Sequence, residues 1–173
     1  MKTIIKICTV AFGLSGVACD DDSESGISQD EAARLAQDAI GGIAGEAERS
    51  TVGDLEVWEV YVAMPNKAEV EVKLELATGD VVLVEDEAGP FDYPDFTPIA
   101  GVLSYNAIKA LALEEVAGDI TKWEFKREGE AGGYEFEFEF YIRDAQAQLW
   151  EIYFDATDGT AKSIEAIDSV EDG

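Results

Sequence analysis

The chain has 173 residues, 38 acidic against 12 basic and no histidine, for a net charge of −26. That balance excludes a nucleic-acid footprint, which needs clustered Lys and Arg, and it disfavours an anionic membrane surface as partner. The missing histidines remove the usual general base, the Ser-His-Asp and Cys-His nucleophiles and the commonest zinc ligand. At 47% hydrophobic the chain can still build a core.

Residues 1–18 read as a signal peptide. Lys2 and Lys6 precede an apolar run from Ile7 to Leu14, and small residues Gly16 and Ala18 precede Cys19. The run is too short for a permanent membrane span. It resembles a bacterial lipoprotein signal, in which Cys19 becomes the lipid-bearing first residue, although Gly16 stands where that signal usually has Leu. Plain secretion is the alternative. Cys8 would be removed with the signal, so the mature chain keeps only Cys19 and has no intrachain disulfide. Residues 19–27, opening with Asp20, Asp21 and Asp22, read as an acidic tether.

From Ser28 a helix is expected. Ser28 with Glu31 has capping-box spacing, and Ala32, Leu35, Ala36, Ala39, Ile40 and Ile43 share one apolar face. Gly41 and Gly42 mark its end. A second helix follows 76 residues later, where Ser104, Leu111, Ala112, Val116 and Gly118 match Ser28, Leu35, Ala36, Ile40 and Gly42. Thr97-Pro98 offers it an earlier start.

Behind each helix come four strands. The first set is expected near Glu46–Val52, Leu55–Met64, Ala68–Ala77 and Val81–Glu85, the second near Ile120–Glu128, Tyr134–Ile142, Leu149–Ala156 and Thr160–Ile167. In Tyr134–Ile142 aromatic and acidic residues alternate strictly. Tyr134, Phe136, Phe138, Phe140 and Ile142 therefore face a core, and Glu135, Glu137, Glu139 and Tyr141 face away. A shift of 76 lays Trp58, Val60, Val62 and Met64 on Tyr134, Phe136, Phe138 and Phe140. A shift of 80 then lays Val70, Val72 and Leu74 on Trp150, Ile152 and Phe154. The four extra residues fall around Arg143–Gln148. The fold class is α+β, two repeats, each a helix packed on a meandering antiparallel sheet. The divisions are repeat 1 over 28–88, a Pro-rich, extended connector over 89–97, repeat 2 over 98–168 and a tail over 169–173.

A helix with Ala-x-x-Leu-Ala, an aromatic-alternating strand pair and a strand ending near Asp-x-Thr-Gly resembles the PepSY domain. The second repeat carries this in Trp150–Gly159. The first has Leu76-Ala77-Thr78-Gly79 without the aspartate. The resemblance implies small α+β modules found in propeptides of secreted metallopeptidases and in bacterial envelope proteins. It implies binding and restraint of peptidases and supplies no catalytic residues.

The residues name no catalytic, cofactor or metal site. Asp155, Thr157, Asp158 and Gly159 lack the ligand series of a calcium loop and read as a turn. Glu135, Glu137 and Glu139, flanked by Glu124 or Glu151, form an acidic ridge that Lys122, Lys126, Arg127 and Arg143 partly offset. It is either a solvated face or a surface for a basic partner or cations. Trp58, Trp123 and Trp150 read as core or core-edge residues and not as a ligand stack. The expectation is an exported, lipid-anchored, non-enzymatic module of the bacterial periplasm or envelope. It binds a protein partner, plausibly a peptidase, meets the membrane only through its anchor, and needs no cofactor. A divalent-cation-responsive envelope protein is the alternative, and a hydrolase with an acidic pair comes third.

Overall fold

The structure, a computed structural model, describes residues 26–129 and 133–169. The signal peptide, Cys19 and most of the tether and tail lie outside the described residues. The elements run α1 (Gln29–Ile40), β1 (Ile43–Val52), β2 (Leu55–Ala63), β3 (Glu69–Glu75), β4 (Val81–Asp86), α2 (Tyr105–Glu115), β5 (Gly118–Glu128), β6 (Glu135–Asp144), β7 (Leu149–Asp155) and β8 (Ala161–Ile167). The class is α+β, as expected.

Both serine caps form. Ser28 Oγ accepts the Glu31 N–H at 3.3 Å and Ser104 Oγ accepts the Ala107 N–H at 3.4 Å. The Glu31 carboxylate takes Arg34. Thr97-Pro98 does not start α2, because Gly101 at φ +94 interrupts any helix running on from it. Ile43 leaves the expected helix face for a similar reason. Gly41 and Gly42 both have positive φ, the chain turns there, and Ile43 opens β1 at 73% exposure.

The strands form one eight-stranded antiparallel sheet in the order β1 to β8. The repeats therefore do not carry separate sheets. They meet where β4 pairs with β5, through Leu83↔Lys126, Val84↔Phe125, Glu85↔Glu124 and Asp86↔Trp123. A continuous row of core residues, Val60–Val72–Val84–Phe125–Phe138–Phe154, crosses six strands, each residue at most 1% exposed. Ala32, Ala36 and Ile40 of α1 and Tyr105, Ile108 and Ala112 of α2 join the same cluster, so both helices cover one face.

The repeat is visible in detail. Ile27 N–H donates to Leu76 O at 2.9 Å, and Leu103 N–H to Ala156 O at 2.7 Å. Gly79 and Gly159 both have positive φ. A Cβ at Gly79 would lie 2.7 Å from Leu35, and one at Gly159 would lie 2.7 Å from Leu111, its equivalent. The strand register corrects the alignment, however. Trp58 pairs with Leu74 as Phe138 pairs with Phe154, and Val62 pairs with Val70 as Ile142 pairs with Trp150. The shift is already 80 in β2 and β6. Phe138 thus corresponds to Trp58, and Val62 to Ile142. The four extra residues fall between β5 and β6, where the first repeat has only Gly53-Asp54 between β1 and β2. The β6–β7 turn contains no insertion.

The Pro-rich connector forms neither helix nor strand, and it is part of the core. Tyr93 and Phe96 are buried and pack on Tyr105, with ring centroids 5.0 and 5.3 Å away, and Tyr105 packs on Trp123 at 4.7 Å. Asp86 ends β4 inside this cluster. Its Oδ1 accepts the N–H groups of Ala88 and Gly89, and its Oδ2 accepts the Tyr93 hydroxyl. Trp123 Nε1–H donates to Tyr93 Oη at 3.1 Å. Asn66 holds the connector from the first repeat through Pro90 O and Asp92 O, and Lys109 holds it from the second through Phe91 O.

Tyr93→Phe should leave Asp86 and Trp123 each short of a partner, at about 1–3 kcal/mol per group. Because the lost bonds sit between the repeats, urea melts followed by fluorescence and by far-ultraviolet circular dichroism should move together to a lower midpoint. Separation of the two curves would show that the repeats unfold independently.

Candidate functional site: the helix-free face of the sheet

Side chains alternate along each strand, so burial of one face by helices leaves the other without a helical cover. Across its centre the strand register lines up Tyr61, Glu71, Glu85, Glu124, Glu139 and Tyr153. Four glutamates lie abreast on four adjacent strands. Neighbouring strands are only about 4.8 Å apart, so this row would repel itself without cations.

Lysines from the flanking rows supply them. Lys73 Nζ lies 2.7 Å from Glu71, 3.8 Å from Glu85 and 4.0 Å from Glu59. Lys122 Nζ lies 2.6 Å from Glu87, 2.8 Å from Glu124 and 3.6 Å from Glu85. Lys126 Nζ lies 2.6 Å from Glu124 and 2.7 Å from Glu139. Lys162 reaches Glu137 at 2.6 Å and Glu135 at 3.3 Å.

The expected ridge of Glu135, Glu137 and Glu139 is therefore graded. Glu135 is exposed, Glu137 is half-buried, and Glu139 is buried at 1% exposure. Glu139 cannot belong to a freely solvated face. Of the offsetting cations, Lys122 and Lys126 act here. Arg127 instead pairs with Glu75 at 2.7 Å and lies over the Tyr134 ring at 4.3 Å, and Arg143 donates to Ala147 O at 3.3 Å. Of the two flanking acids, Glu124 joins the row and Glu151 lies beside it, across from Tyr141. Glu71, Lys73 and Glu85 of the first repeat were not foreseen. Their alternation is legible, but their alignment with the second repeat depends on the β4–β5 pairing.

The environment sets the charges. Burial pushes the Glu85 carboxyl up from its ordinary value, and Glu124 and Glu71 add to this. Burial also raises Glu139, but hydrogen bonds from Lys126 and Tyr141 outweigh it and hold Glu139 below the usual range. Burial opposes protonation of Lys122, yet Glu124 and Glu87 push it well up. No neutral amine is produced, and every lysine of the row is tied to carboxylates. The arrangement favours recognition of charge over proton transfer. Beside it, the β1–β2 turn at Val52 and Gly53 and the side chains of Lys73, Glu85, Lys122 and Lys126 border a cleft of about 530 Å³.

The remaining candidates are structural. Asp155 Oδ1 accepts the Thr157 N–H and Asp158 Oδ1 accepts the Thr160 N–H, both at 2.8 Å, as a turn requires. Among the described residues no three Cys, Asp or Glu side chains are placed to hold a metal ion. Trp58 donates to Ile27 O, Trp123 to Tyr93 and Trp150 to Asp144.

The sequence profile described as "Peptidase propeptide and YPEB domain", PepSY, matches residues 26–85 and 102–165. No curated protein matches. A solved structure that matches is a protein of Clostridium difficile 630, titled as a candidate lipoprotein. It is 16% identical, the match covers 70% of this chain and 80% of that one, and the TM-score is 0.35.

Lys126→Met strips the buried Glu139 and Glu124 of their shared cation. The loss should be about 3 kcal/mol at neutral pH. A carboxylate held below its ordinary value stabilises the fold above that value and loses the contribution as pH falls through its folded value. The gap between wild type and variant should therefore be full at pH 7 and narrow on acidification through the carboxylate range, as read from thermal melts.

Proposed function

Since the chain belongs to the PepSY family, we propose that it is an exported, non-enzymatic binding module that holds and restrains a peptidase of the envelope or the secreted fraction. The family description supplies the peptidase link. The observation that carries the binding role is the open face of the sheet: eight strands wide, uncovered by helix, and set with a fixed lattice of glutamates and lysines. Its charges are fixed by their neighbours before any partner arrives, so little ordering is needed on association. Carboxylates already paired with lysines are poor acid–base catalysts.

The signal-like residues 1–18 and Cys19 support export and a lipid tether. On this reading the folded module stands on the outer side of a membrane, with the acidic segment 19–27 as its tether. Cys19→Ser should move the protein from the membrane fraction to the soluble fraction of the envelope. Unchanged fractionation would rule out the tether.

Purified mature protein should bind and slow at least one of the source cell's own secreted or envelope peptidases, measured by co-purification and peptide-hydrolysis assays. A full set of such peptidases with neither binding nor inhibition would overturn the proposal.

A further inference from the structure

The two repeats carry the same constellation on the open face, with one decisive difference. An 80-residue shift turns Glu59, Tyr61, Glu71 and Lys73 into Glu139, Tyr141, Glu151 and Tyr153. The cross-strand pairs Glu59↔Lys73 and Tyr61↔Glu71 become Glu139↔Tyr153 and Tyr141↔Glu151. In the first repeat the Lys73 ammonium sits among the carboxylates, 2.7 Å from Glu71 and 4.0 Å from Glu59. In the second a phenol stands in its place.

The second constellation is short of positive charge. Lys126 covers Oε2 of Glu139 at 2.7 Å, while Oε1 of that buried side chain has no partner in good hydrogen-bond geometry, although Tyr141, Glu151 and Tyr153 lie close to the carboxylate. The nearby cations already have partners: Lys122 pairs with Glu85, Glu87 and Glu124, Lys126 with Glu124 and, within this constellation, Glu139, and Lys162 with Glu135 and Glu137. None of them pairs with Glu151. Directly across from Glu151, on β8, lies another acid, the exposed Glu165. Burial pushes the Glu151 carboxyl up and Glu139 pushes it further, against the opposing pull of Tyr141 and Tyr153, since Lys126 serves Glu139 and leaves Glu151 to face that carboxylate. The site is reachable, since a shallow cleft lined by Glu151, Tyr153 and Asp168 opens beside it at the sheet edge.

We propose that Glu139, Tyr141, Glu151 and Tyr153 form a docking notch for one basic side chain of the protein partner, whose ammonium takes the place that Lys73 fills in the first repeat. This rests on the reading of the protein as a binding module. Two carboxyls provide the countercharge, and tyrosine rings tolerate a cation at close range. The strong acidity of the chain favours such a partner over an acidic one. A divalent ion is disfavoured, because no three acidic side chains converge among the described residues.

The mature protein is titrated with acetyl-Gly-Lys-Gly-amide, with acetyl-Gly-Gln-Gly-amide as the neutral control, and followed by NMR. The lysine peptide should shift the signals of Glu139, Tyr141, Glu151 and Tyr153 and leave those of Glu31 and Asp38 on α1 in place. Glu151→Gln should weaken the response at least tenfold with the fold unchanged by circular dichroism. Tyr153→Lys, which restores the internal cation, should abolish it and raise the melting temperature. Shifts spread over all acidic positions and surviving both variants would overturn the notch. So would a local response to calcium but not to the peptide, or a titrating Glu139–Glu151 pair indifferent to the peptide. If a peptidase binds wild type and Glu151→Gln equally, the notch is wrong and the binding module stands. If no peptidase binds at all, that reading fails, whatever the peptide shows.

Discussion

The pairing of β4 with β5 is the constraint on which the rest of the molecule depends. It joins two copies of one motif into a single sheet and forces Val84 against Phe125 in the core. It also brings Asp86 beside Trp123, where the Tyr93 hydroxyl links them. A buried carboxylate is tolerable only when its oxygens find donors, and two backbone N–H groups and a phenol meet that need. The connector that might have let the repeats swing apart is thereby drawn into the interior. Rigid association of the repeats is in turn what aligns their glutamates.

The opposite face shows the cost of this arrangement. The strands of an antiparallel sheet place equivalent residues side by side, so an acidic position repeated in both halves becomes a row of like charges. Three lysines, each shared among two or three carboxylates, offset the repulsion across β3 to β6. Because those strands are also held by the core beneath them, the charges cannot separate. The lattice is less a source of stability than a pattern fixed in place by the hydrophobic side.

Much of this architecture could be read from the residues. Caps at Ser28 and Ser104, the alternation from Phe136 to Ile142, and the turn glycines Gly79 and Gly159 each express local chemistry and stand where expected, whereas Tyr134, expected in the core, is exposed. The alignment of β2 with β6 went astray by four residues for a definite reason. A strand repeats every two residues, so a slip of four leaves every side chain on its proper face. Only the partner strand reveals the error. Burial of Tyr93 and Phe96 was hidden by their prolines and aspartates, which read as a connector. The burial of Glu139 was hidden because alternation assigns a face and not its depth. The neighbours that enclose it come from other strands.

The two ends of the sheet differ from its middle in a telling way. The register makes β8 the counterpart of β4, and β1 the counterpart of β5. Where β4 carries Val81, Val82 and Leu83, β8 carries Ala161, Lys162 and Ser163. Where β5 carries Trp123 and Phe125, β1 carries Ala47 and Arg49. The motif could in principle be added again at either end, one molecule continuing the sheet of the next without limit, since head-to-tail contacts of this kind do not close on themselves. Much of the apolar surface that would drive such growth lies at the internal junction, while the outer strands expose Ile43 on β1 and Ile164, the counterpart of Val84, on β8. The substitutions Ala47 and Arg49 for Trp123 and Phe125, and Lys162 and Ser163 for Val82 and Leu83, make the outer strands poorer copies of the junction, so a pairing that holds two halves together inside the chain is weaker between chains.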